Sequence, residues 1–107
     1  MHVPSETPPA QPELTLSESY RLASVFKALA DPTRLRILAE IAAQEQCVHA
    51  VAEALEMNQP AVSHQLRLLR DRGLVRQRRA GRHIFYALDD DHVYDLFRRA
   101  REHLEHD

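Results

Sequence analysis

Apolar residues along this chain recur at helical spacing from about Ser17 onward. Leu22, Val25, Phe26 and Leu29 stand at i, i+3, i+4 and i+7, one face of a first amphipathic helix. Asp31-Pro32 ends it and starts another, because aspartate is a strong N-cap and proline at the first helical position gives up an N–H that has no partner there. Leu35, Leu38 and Ile41 line the expected buried face of this second helix, which reaches about Ala43. A third, short helix is predicted from near Cys47 to Leu55, with Val48, Val51, Ala52 and Leu55 inward.

Glu56-Met57-Asn58 is a tight connection, and Asn58 can cap a fourth helix that starts around Gln59-Pro60. That helix turns Val62, Leu66 and Leu69 inward and stops at Gly73, which suits the left-handed position after a helix end. Two apolar-patterned helices joined by about three residues predict a helix-turn-helix. Leu74 to Arg79 and Arg82 to Leu88 read as two strands around Ala80-Gly81, with Ile84, Phe85 and Tyr86 supplying β-propensity. A hairpin in that position is a wing. Asp89 to Asp91 offer N-caps to a last amphipathic helix of about sixteen residues, reaching His106. The expected fold is mainly α with a β-hairpin wing, a winged helix-turn-helix.

Composition narrows the class. At 107 residues, 44% apolar and 28% charged, the chain suits one globular domain. Four of its six prolines (Pro4, Pro8, Pro9, Pro12) fall in the first thirteen residues, so residues 1–15 are expected to form a flexible arm ahead of a domain spanning 16–107. With no signal-peptide pattern and no long apolar run, a cytoplasmic protein without a membrane segment is expected. The single cysteine, Cys47, excludes an internal disulfide and any zinc finger built from one chain's cysteines. Two glycines cannot build a phosphate loop and no nucleophile motif occurs, so the chain does not read as an enzyme.

The net charge of −2 conceals a division that suits a polyanion at one end. Between Gln59 and Tyr86 stand seven arginines (67, 70, 72, 76, 78, 79 and 82) against Asp71 alone, a local +6. From Ala87 onward seven acids face three arginines, a local −4. Gln59, Ser63, His64, Gln65 and Arg67 on the outward face of the fourth helix can hydrogen-bond base edges in a major groove of double-stranded DNA. Arg78, Arg79 and Arg82 are expected at the hairpin tip, against phosphate or in the minor groove. One reading helix carries little specificity, so a homodimer is expected, with two half-sites on the order of 34 Å apart on an operator.

The last helix carries Asp90, His92, His103 and His106. His92 and His103 are eleven residues apart, about 16 Å along a helix axis, whereas zinc donors sit about 2 Å from the ion. One helix cannot close such a site. Asp90 lies beside His92 at one end, and His103 and His106 share a face at the other. Two such helices paired antiparallel about a twofold axis complete two equivalent sites of three nitrogens and one oxygen between subunits. Imidazole and carboxylate suit Zn(II), Co(II) or Ni(II) and do not suit Cu(I) or arsenite.

The stretch from Lys27 to Leu38 (KALADPTRLRIL), the stretch from Gln59 to Leu69 (QPAVSHQLRLL) and the hairpin with Ala80-Gly81-Arg82 resemble the ArsR/SmtB family of metal-sensing bacterial repressors, over about Tyr20 to His106. The resemblance implies a homodimeric winged helix that represses a metal efflux or sequestration operon when metal-free and leaves the operator when metal binds. Asp-x-His, ten residues, then His-x-x-His is similar to the interhelical site of the family's zinc, cobalt and nickel sensors, which implies ligand roles for Asp90, His92, His103 and His106. Zn(II) is the expected inducer, with Co(II) or Ni(II) as alternatives. Cys47-Val48-His49 occupies the place where thiolate-rich members carry Cys-x-Cys, with His49 replacing the second cysteine. A structural Cys47 is favoured, and a minor second site of Cys47, His49 and His2 is the alternative. His2 also leaves room for a nickel sensor with N-terminal ligands, and a metal-independent repressor is the remaining alternative.

Overall fold

A computed structural model describes residues 13–105, so His2, His106 and most of the proline-rich arm lie outside the described residues. The first helix starts at a reciprocal cap: Thr15 Oγ1 accepts the Glu18 N–H at 3.0 Å while the Glu18 carboxylate accepts the Thr15 N–H at 3.0 Å. These bonds head α1 (Leu16–Leu29) and bring Thr15, assigned to the arm above, into the folded part. Asp31 accepts the Arg34 N–H at 3.0 Å and starts α2 (Pro32–Ala43) with proline in its first turn. A two-residue strand, β1 (Gln46–Cys47), leads straight into α3 (Val48–Leu55). Glu56 then takes the left-handed conformation, φ 55°, and Asn58 caps α4 (Gln59–Asp71) by accepting the Ala61 N–H at 2.8 Å.

Gly73 ends α4 for a physical reason. At φ +74° it lets its own N–H reach Arg70 O and the Leu74 N–H reach Leu69 O, both at 2.9 Å, the paired closure of a left-handed helix cap. Strands β2 (Val75–Ala80) and β3 (His83–Leu88) follow, paired antiparallel from Val75↔Leu88 to Ala80↔His83. The two-residue loop is Gly81-Arg82, one residue later than expected, because Ala80 is still paired and only Gly81 needs positive φ (+63°). The helix α5 (Asp91–Glu105) starts where Asp90 accepts the Val93 N–H at 3.0 Å. The fold is a winged helix-turn-helix, α1 α2 β1 α3 α4 β2 β3 α5, with sheet order β1-β3-β2. No helix among the described residues is long and apolar enough to cross a membrane.

The core is built by α2, α3 and α4. Ile37, Leu38 and Ile41 meet Val51, Ala52 and Leu55 and, from α4, Val62, Leu66 and Leu69. Leu74 and Val75 close it from the start of the wing. The stripe on α2 differs from the expected one: Ile37 is fully buried and Leu35 is 38% exposed, because the buried arc runs through residues 37, 38 and 41. On α1 only Ala28 is buried, with Leu22 and Phe26 exposed, and on α5 only Val93 is buried. Each outer helix touches the head along one edge, and among the described residues nothing covers Leu16, Tyr20 and Phe26 on α1 or Leu104 on α5.

Leu66→Ala should lower unfolding free energy by about 3 kcal/mol, whereas Leu35→Ala should cost under about 1 kcal/mol. Urea unfolding of the two variants checks this, and equal losses would contradict the buried arc described above.

Candidate nucleic-acid interface and metal half-sites

Val62, Leu66 and Leu69 have no exposed surface, so they fix the roll of α4 and with it the face turned to solvent. His64 and Arg67 lie opposite that stripe and are exposed, Gln59 is exposed in the first turn, and Ser63 is half-buried on the flank. Gln59 is tied across the helix-turn-helix: its Nε2 lies 2.8 Å from His49 Nδ1, and His49 Nε2 lies 3.6 Å from Glu53. Gln65 sits on the other flank, half-buried, with its Oε1 accepting from Arg34 Nε at 2.9 Å.

The wing separates its arginines into two kinds. Arg79 and Arg82 are exposed at or beside the turn. Arg78 stands further back, opposite Phe85, with its guanidinium carbon 5.1 Å from the Phe85 ring centre. Its Nε donates to both carboxylate oxygens of Glu45 at 3.2 Å, and its Nη2 donates to Oε1 at 2.6 Å. Arg78 therefore does not join the tip as expected, because Glu45, just before β1, holds it. The hydrogen bonds from Arg78 hold the Glu45 carboxyl below its ordinary range and raise the guanidinium in return. No sequence spacing connects positions 45 and 78; the pairing of β1 and β2 with opposite edges of β3, both meeting Phe85, brings them together.

Asp90 and His92 meet at the start of α5, where Asp90 Oδ2 lies 3.5 Å from His92 Nδ1. The Asp90 carboxyl is held below its ordinary range, first by the Val93 N–H it accepts and then by His92. His103 is exposed near the far end of the same helix, and His106 lies outside the described residues. No group of three or more histidine, cysteine, aspartate or glutamate side chains able to hold a metal occurs among the described residues of one chain. Cys47 is a half-buried free thiol at the head of α3, making no side-chain cap bond, and His49 is turned to Gln59.

The Glu45–Arg78 link carries a pH signature. A carboxyl whose folded pKa is lowered stabilises the fold fully above the ordinary glutamate value and loses that contribution as pH falls through the lowered one. The Arg78 Nε–H signal in an NMR titration should hold its paired position at neutral pH and move only on the acid side of the ordinary glutamate range. Glu45→Gln should give a signal that no longer shifts in that window, and a wild-type signal that never shifts would contradict the link.

Residues 31–77 match the model of bacterial regulatory proteins of the arsR family, from the cap of α2 into the wing. Over 96 residues the chain is 47% identical to a transcriptional repressor SmtB homolog of Synechocystis sp., covering 89% of this chain and 73% of the relative. It is 50% identical over 86 residues to the HTH-type transcriptional regulator NmtR of Mycobacterium tuberculosis, covering 80% and 72%. The solution structure of apo-NmtR superposes with a TM-score of 0.76 at 45% identity, covering 98% of this chain and 87% of that one. A homodimeric winged helix-turn-helix DNA-binding domain of Mycobacterium bovis, a possible ArsR-family transcriptional regulator, superposes with a TM-score of 0.82 at 33% identity, covering 91% and 90%. With these matches running through the helix-turn-helix and the wing alike, the chain belongs to the arsR family of bacterial regulatory proteins.

Proposed function

We propose that this protein is a metal-responsive transcriptional repressor, a homodimer whose metal-free form binds operator DNA and whose metal-bound form releases it. The observation that carries the DNA half is the roll of α4, whose three buried residues leave Gln59, Ser63, His64 and Arg67 toward solvent beside the Arg79 and Arg82 wing tip. Forked and short polar side chains read base edges, while wing arginines hold phosphate and set the register. The relatives named as a transcriptional repressor and a transcriptional regulator support the reading.

The homodimer has its support in the outer helices and in the homodimeric Mycobacterium bovis neighbour. Leu16, Tyr20, Leu22 and Phe26 on α1, with Tyr94, Leu96 and Leu104 on α5, leave an apolar surface that the described residues of one chain do not cover. Residues 16–107 act in this reading as one DNA-binding and dimerisation unit, with the proline-rich segment ahead of it.

The metal half rests on the division of ligands along α5. Asp90 and His92 are one proposed half-site, and His103 with His106, three positions on in the sequence, is the other. Antiparallel α5 helices of two copies would join opposite halves, and Zn(II) or Co(II) in three nitrogens and one oxygen is the ion of choice. Bridging the two helices fixes the angle between the reading heads, and metal then favours the arrangement that does not match the operator.

Co(II) titration of untagged protein should give intense ligand-field bands saturating at one ion per protomer. One equivalent of Zn(II) should weaken binding to an operator duplex by about 10- to 100-fold. His92→Ala and His103→Ala should each abolish the intense bands and the release while leaving metal-free DNA affinity unchanged. Weak bands at the same stoichiometry would point to higher coordination and a nickel sensor, and DNA affinity indifferent to Zn(II) would overturn metal sensing.

A further inference from the structure

Arg34 makes an arrangement that neither the helix-turn-helix nor the metal ligands account for. Its backbone is fixed in the first turn of α2, where its N–H is held by Asp31. From there the half-buried side chain reaches two other helices. Nη1 donates to Lys27 O at 3.3 Å and to Ala28 O at 3.4 Å, carbonyls in the last turn of α1. Nε donates to Gln65 Oε1 at 2.9 Å in the middle of α4.

The chemistry leaves no choice of orientation. A guanidinium has five donors and no acceptor, so the oxygen of the Gln65 amide, not its nitrogen, must face Arg34. The last carbonyls of a helix lack the regular i+4 donor and carry the negative end of the helix dipole, so a cation there is favoured even though Lys27 O also takes the Ala30 N–H at 3.3 Å. Arginine satisfies both at once because its fork is planar and pre-organised, which a lysine cannot reproduce. A second tie runs alongside: Arg72, at the end of α4, donates to the Ser24 hydroxyl on α1.

We propose that Arg34 is a positioning residue for DNA reading: it clamps α4 to the end of α1 through Gln65, and Gln65 belongs to this clamp and not to the set that reads bases. Buried Val62, Leu66 and Leu69 set the roll of α4, and the clamp fixes its tilt against α1, the helix whose exposed apolar face the dimer reading assigns to the partner copy. The inference rests on the DNA-binding reading for its consequence and on Arg34 geometry for its premise, so the two are tested separately.

The premise is tested without DNA. In wild-type protein the Arg34 Nε–H should give a slowly exchanging NMR signal, which Gln65→Leu returns to the rapid exchange of a free arginine and Gln65→Glu preserves. A rapidly exchanging wild-type signal would overturn the clamp. The consequence is tested with a duplex that the wild-type protein selects from a random pool, against a scrambled duplex of equal length. Arg34→Met and Gln65→Leu should each reduce the preference for the selected duplex about tenfold, leave scrambled-duplex affinity unchanged, and be no worse combined. Gln65→Glu, which keeps an acceptor facing Arg34, should keep the preference. Loss of preference in Gln65→Glu with Arg34→Met unaffected would make Gln65 a base reader and overturn the proposal. An equal loss on both duplexes, with a lowered melting temperature, would make Arg34 structural only and overturn it as well. A wild-type protein that binds no duplex at low salt would refute the DNA reading itself, while the Nε–H signal still decides the clamp.

Discussion

Val62, Leu66 and Leu69 pack without exposed surface against α2 and α3, and this contact governs what α4 can present. A helix buried along one stripe cannot roll without moving those side chains into water, at about 1.5–3 kcal/mol for each one fully exposed. His64 and Arg67 are outward because the stripe is inward. The caps act in the same direction: Asn58 fixes where α4 begins and Gly73 where it ends, so the helix neither shifts its register nor lengthens. Gly73 also starts the wing, since Leu74 and Val75 immediately after it enter the core that α4 lies on.

The wing depends on that core for its root and on β1 for its flank. Gln46 pairs with Tyr86 and Cys47 with Phe85, so the strand leading into α3 braces the strand leading into α5. Glu45 sits just ahead of β1 and takes up Arg78, whose charge is then neutralised before any phosphate is met. Of the arginines expected at the tip, Arg79 and Arg82 remain without that partner, which places the free positive charge at the end of the hairpin. The basic and acidic segments adjoin at the root of the wing, where Arg76 donates to Asp89 O at 3.2 Å, while Arg79 and Arg82 stand at its far end.

Elements whose cause is local were legible in the sequence. Asp31 before Pro32, Asn58 before Gln59-Pro60, and Gly73 after the last apolar residue of α4 each act within one helical turn, and the structure places them as caps. What escaped was non-local or had a period too short to register. Two residues of β1 carry no alternation, and Glu45 with Arg78, or Arg34 with Gln65, are separated by thirty residues or more with no pattern joining them. The exchange of Leu35 for Ile37 has another origin. Both positions are apolar, and only the direction from which α3 and α4 approach decides which is buried. Of the two expected ligand pairs, Asp90 and His92 are adjacent in the structure, because both stand at one helix start, and the other includes His106, outside the described residues.

Asp90 shows how the proposed metal site can be loaded without disturbing the fold. Its Oδ1 accepts the Val93 N–H and caps α5, while Oδ2 points toward His92. A cation approaching Oδ2 would find a carboxylate already ordered by the cap. Binding would then not have to order this ligand first, and it would leave Oδ1 free to keep the Val93 N–H. The helix α5 runs unbroken from Asp91 to Glu105, so a misfit between the two proposed half-sites would not be absorbed by a break within it. In the proposed dimer it would be relieved by rotation of one copy against the other, across the exposed apolar residues that α1 and α5 carry among the described residues. Two ions, each joining one end of one α5 to the opposite end of its partner, would in the proposed site act on the angle between subunits, which is the quantity that two reading helices on one duplex are sensitive to.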